Sequence, residues 1–103
     1  MGKERFSILK STLHRHFRTP HTNSINEFTK TPGISRVIIS DSFNFAVKWI
    51  TIEGYSTSGE LLCIFTFCSR DMSISKAFKE WENIHLKLLE TYGEQKISDI
   101  REQ

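Results

Sequence analysis

Residues 43–68, FNFAVKWITIEGYSTSGELLCIFTFC, decide the fold. No other stretch is as apolar or as rich in β-branched and aromatic side chains. It reads as two strands, Phe43–Tyr55 and Glu60–Cys68, joined by the turn Ser56–Thr57–Ser58–Gly59, where Gly59 can take a positive φ without steric cost. Along the first strand Phe43, Phe45, Val47, Trp49 and Thr51 alternate with Asn44, Ala46, Lys48, Ile50 and Ile52. Both faces therefore carry apolar groups, and a hairpin of this kind needs cover above and below.

Upstream, Arg36–Val37–Ile38–Ile39–Ser40 reads as a further strand, turned into the hairpin at Asp41–Ser42. Downstream, residues 73–92 carry the strongest helical pattern. Ser73 can cap the start, and Ile74, Ala77, Phe78, Trp81, Ile84, Leu88, Leu89 and Tyr92 fall within about 140° of arc. Gly93 suits the position just past the end. Leu86 stands among polar neighbours, and His85 lies at the centre of the apolar stripe. In residues 93–103 only Ile97 and Ile100 are apolar, which reads as a frayed helical or disordered charged tail.

Before the strands, Phe6, Leu9, Leu13 and Phe17 recur at helical spacing, so residues 3–18 read as a helix with a narrow apolar stripe, ending at Thr19–Pro20. In the connector, residues 19–34, Ser24-Ile25-Asn26-Glu27 has the pattern of a capping box and predicts a helix of one or two turns anchored by Ile25 and Phe28. The expected architecture is α+β, in the order α-(short α)-β-β-β-α. It comprises a three-stranded antiparallel meander with the long C-terminal helix on one face, and the N-terminal helix or a partner chain on the other. Residues 1–92 form one domain and 93–103 a tail. Double-stranded-RNA-binding domains share this element order, but Asp41-Ser42-Phe43-Asn44 replaces their Gly-Pro-x-His loop and Ser73-Ile74-Ser75 their lysine cluster. The order alone carries no function.

At 103 residues the chain is one domain's length and can bury about 65% of its unfolded surface in a core without staples. It is 38% hydrophobic with a net charge of +2, the composition of a globular domain. Residues 1–30 carry six Lys and Arg against two Glu, whereas residues 71–103 carry five against seven. The basic front end accords with a solvated helix face, and alternatively with phosphate contact. Cys63 and Cys68 leave opposite faces of one extended run and cannot bridge each other. Reduced thiols and the lack of an apolar leader after MGKERF point to the cytoplasm. No apolar run approaches a membrane span.

Chemistry is thinly signalled. His14, His16 and His21 are close in sequence, but His14 and His16 diverge by about 160° on a helix and cannot share an ion. No metal and no cofactor is expected. His85 could act as a buried base beside Cys63; a core histidine with one hydrogen bond explains it more simply, because no third residue orients such a pair. No nucleophile elbow, phosphate-cradling glycine loop or paired acid motif occurs, so no catalytic residue is assigned. The sequence points to a small non-catalytic protein that binds another protein as an inhibitor, adaptor or accessory factor. The alternative is RNA or DNA binding through Arg5, Lys10, Arg15 and Arg18 on the basic N-terminal helix; a second alternative is an unrecognised small enzyme.

The last strand carries the sharpest expectation. In a meander it lies at an edge, yet it has no charge from Leu61 to Cys68. Bare apolar edges invite another strand. A homodimer or partner complex is expected, with Leu61, Cys63 and Phe65 near the seam and Leu86 as a secondary contact.

Overall fold

The computed structural model describes residues 21–44 and 47–101. The expected N-terminal helix over 3–18, with His14 and His16, lies outside them. Two helices and four strands follow in the order α1 (Ile25–Lys30), β1 (Arg36–Asn44), β2 (Val47–Tyr55), β3 (Leu61–Cys68), α2 (Ile74–Tyr92) and β4 (Ile97–Asp99), with a 3₁₀ turn, Glu94–Lys96, before β4. The fold is α+β: β1, β2 and β3 form the antiparallel meander, and β4 adds a parallel strand on β1, giving the sheet order β3-β2-β1-β4.

Local chemistry explains the element ends. The Ser24 hydroxyl accepts from the Glu27 N–H at 3.2 Å while the Glu27 carboxylate accepts from the Asn23 N–H at 2.9 Å, a reciprocal cap reaching one residue further back than the usual box. Ser73 caps α2 by a single bond, its hydroxyl accepting from the Lys76 N–H at 3.2 Å. Gly93, at φ 81°, ends α2 and lets the chain turn away. In the β2–β3 turn, Gly59 has φ 85° and the Ser56 hydroxyl accepts from the Glu60 N–H.

Two expectations about the strands are corrected. Asp41 and Ser42 do not turn the chain. They sit inside β1, which runs on to Asn44 in register with Val47 at the start of β2. Asp41 is accommodated at the open end of the sheet by the Lys48 ammonium, 3.3 Å away. Nor are residues 93–101 a frayed tail. Ile97, Ser98 and Asp99 pair with Val37, Ile38 and Ile39, and the Ile100 N–H donates to the Ile39 carbonyl at 2.8 Å. Since β3 and β4 are both parallel to β1, the connection between them must cross the sheet, and α2 makes that crossing.

The registers place Val37, Ile39, Ile50, Ile52, Gly54, Cys63, Phe65 and Phe67 on one face. Phe28 of α1 and Ile84 and Leu88 of α2 close the core over it. Burying each large side chain here contributes about 1.5–3 kcal/mol. Gly54 makes room for this closure. A Cβ there would lie 2.8 Å from Ile34 Cδ1 and 3.1 Å from Phe28 Cζ. The Phe28 ring thus rests on bare backbone, with the Tyr92 ring edge-on to it at 6.2 Å. Among the described residues, both helices lie on this face.

Candidate docking surface

The direction of α2 decides what remains uncovered. Its last residue, Tyr92, packs on Phe28 near Gly54, whereas Trp81 packs on Phe67, which pairs with Ile50 two residues in from Lys48. The helix therefore runs antiparallel to β3. Its turns before Trp81, rising 1.5 Å per residue, reach the end where β1 finishes and β2 begins. Those turns carry Ile74 and Phe78, exposed by 91% and 68%. On the strand side of the same end Phe43 is exposed by 74%. The periodicity places Ile74, Ala77, Phe78, Trp81, Ile84, Leu88, Leu89 and Tyr92 in one apolar stripe. In the structure Ile84 and Leu88 are buried, Ala77, Trp81, His85, Leu89 and Tyr92 are half-buried, and the first turn overhangs the last core row. Single apolar side chains on a surface are ordinary, but large ones gathered at one end mark a place for contact.

The β3 edge is a second unpaired feature. The Ile64 carbonyl points away from β2 and accepts from the Thr22 N–H at 2.9 Å, where His21 makes one parallel bridge. By strand alternation the backbone groups of Thr66 and Cys68 face outward as well, with no partner strand among the described residues. The expected edge position of β3 is thus present, shortened by the bridge at Ile64.

The residues expected at a seam divide. Cys63 is fully buried beneath α1, so its side chain belongs to this chain's own core. Leu61 and Phe65 are half-buried, and Phe65 leans on that core. Leu86 is 48% exposed on the outer side of α2. Arg5, Lys10, Arg15 and Arg18 lie outside the described residues. Phe43, Ile74 and Phe78 were missed as surface residues because apolar spacing does not report where a helix outruns its sheet.

Burial pushes the Cys63 thiol above its ordinary value, and a hydrogen bond from Thr31 offsets part of that. Thr31 and Tyr92 are thus among its neighbours. Tyr92 is pushed up to about 12, first by burial and then by the Cys63 charge, and its hydroxyl donates to the Phe28 carbonyl at 3.4 Å. His85 instead stacks on Trp81, with centroids 5.7 Å apart and planes 15° from parallel. Both thiols are free. Among the described residues no group of three or more His, Cys, Asp or Glu could hold a metal, and no helix is long and apolar enough to cross a membrane. Set against known protein families, curated proteins and solved structures, the chain matches none of them.

Proposed function

We propose that this chain is a non-catalytic protein that works by docking onto another protein, as an inhibitor, adaptor or accessory factor. The observation that carries the reading is the apolar end formed by Phe43, Ile74 and Phe78. Aromatic anchors seated in a partner's pocket supply most of the energy of such contacts. Exposed Leu86 lies on a different side of α2 and serves as the comparison position. The free thiols favour a reducing compartment such as the cytoplasm.

The test compares the wild-type chain with Phe43→Ser/Phe78→Ser and with Leu86→Ser in affinity capture from the native host, with and without nuclease. A partner retained by wild type and Leu86→Ser but lost by the double variant supports docking through this end. Capture that the double variant leaves intact rejects the end as the seat, and capture abolished by nuclease rejects a protein ligand. A second copy of the chain is the other partner this reading admits, through the outward-facing Thr66 and Cys68 backbone. Light scattering that gives twice the chain mass supports this, and a concentration-independent monomer rejects it.

A further inference from the structure

The other end of β1 carries a different chemistry. On the face turned away from α2, an open cleft of about 650 Å³ lies between β1, the β2–β3 turn and the segment entering β4. Arg36, Ile38, Tyr55, Thr57, Lys96 and Ser98 line it, and among the described residues no carboxylate does. The ion pairs among the described residues are Lys48–Asp41 and Arg101–Asp99, so Arg36 and Lys96 each face the cleft without an acidic partner there. The Arg36 guanidinium donates to the Ser98 hydroxyl at 3.2 Å, which fixes one arm of its fork and leaves the others available. The neighbouring carboxylate on this face is Glu53, paired across the ladder with Ile38; it is outside the lining and accepts from the Tyr55 hydroxyl at 3.1 Å.

We infer that this cleft binds a phosphate monoester. Two cations without an acidic partner among the described residues match the charge of a phosphate monoester near neutral pH, about −1.5 to −2, better than that of a single carboxylate. The planar guanidinium can engage two oxygens, while the Lys96 ammonium acts as a mobile point charge. The hydroxyls of Thr57 and Ser98 supply further donors. The Tyr55 ring and Ile38 provide apolar wall for the body that carries the phosphate. The cleft volume is that of a small-ligand site rather than of a bare ion. The group can arrive on a phosphorylated protein side chain or on a free small molecule, and the recognising chemistry is shared. The inference does not depend on the docking end, which lies at the opposite end of β1.

The test is a titration of the full chain at low ionic strength, followed through backbone amide NMR signals. The probes are a phosphoserine peptide, its unphosphorylated twin and a nucleoside monophosphate. Saturable shifts at Arg36, Thr57, Lys96 and Ser98 are expected with the phosphorylated probes and not with the twin. Arg36→Gln/Lys96→Gln should weaken binding by about tenfold or more with the thermal midpoint unchanged. Tighter binding of the peptide identifies a phosphorylated chain as the source, and tighter binding of the nucleotide identifies a small molecule. Absence of saturation with either probe overturns the inference. So do shifts spread evenly over all basic residues, or a double variant that binds like wild type. If the double variant loses its fold, Lys96→Gln alone, at an exposed position, makes the same comparison.

Discussion

The Arg101 guanidinium carbon stands 4.5 Å from the centre of the Trp81 ring, while its Nε and one terminal nitrogen hold the Asp99 carboxylate at 2.9 and 2.7 Å. His85 stacks on the same indole. The segment that follows β4 is thereby fastened to α2. Arg101→Ala should lower stability by about 1 kcal/mol, since it removes a partly buried cation–π contact and a bidentate pair together. Chemical denaturation of the two proteins checks this; an unchanged midpoint would show the contact to be idle.

The same clamp has a pH signature. Hydrogen bonding from Arg101 holds the Asp99 carboxyl below its ordinary value, against an opposing effect of burial. A depressed carboxylate stabilises the fold above its unfolded pKa, and that contribution is lost as pH falls through the lower folded value. The stability gap between wild type and Asp99→Asn should be constant near neutral pH and close below about pH 4. Thermal midpoints measured across that range would reveal a gap that persists in acid, contrary to this assignment.

Alkaline conditions probe the opposite end of α2. Tyr92 is raised to about 12 and the Cys63 thiol is raised as well. A raised phenol stabilises the fold fully below its unfolded pKa of about 10, and this is lost as pH climbs through the folded value. Wild type should therefore lose stability between about pH 10 and about pH 12 more steeply than Tyr92→Phe. In the native state Cys63 should react with a thiol reagent more slowly than half-buried Cys68, and comparable rates would contradict the burial argument.

Gly54→Ala tests how closely α1 approaches the sheet. The new methyl meets Ile34 Cδ1, which can swing aside, and the Phe28 ring, which is packed on two sides. A destabilisation of about 1–3 kcal/mol is expected from overpacking. Combining it with Ile34→Val, which deletes the closer atom, should give less than the sum of the two single effects. Strict additivity would place the strain elsewhere.

Removing residues 94–103 should cost about 2–4 kcal/mol or prevent accumulation of folded protein, because half-buried Ile97, the β4 pairing and the Arg101 clamp go together. A tail without structure would be removed at no cost, so the denaturation midpoint separates the two descriptions.

Much of this architecture was legible because its signals are local. The Ser24 and Ser73 caps, the Gly93 stop and the Ser56–Gly59 turn each depend on residues within five positions of one another. What escaped depended on distance in sequence. Asp41 and Ser42 resemble turn residues until Ile50 and Trp49 are placed across the ladder from them. Ile97 is an isolated apolar residue until it is paired with Val37, sixty positions earlier. Cys63 and Phe65 share a face with Phe67, but only the placement of α1 makes Cys63 inaccessible. The Arg36–Lys96 cleft joins residues from both halves of the chain, and no spacing rule announces it.

The crossing of α2 from one edge of the sheet to the other has a consequence for the order in which the molecule can assemble. β1, β2 and β3 follow one another with short connections and can pair as soon as they are synthesised. β4 leaves the ribosome after α2, so throughout translation of α2 the outer side of β1 lacks the strand that later pairs there. For that interval the nascent chain carries an open template on which a neighbouring copy can add. Docking of β4 ends the exposure, and slowing translation through residues 74–96 should lengthen it.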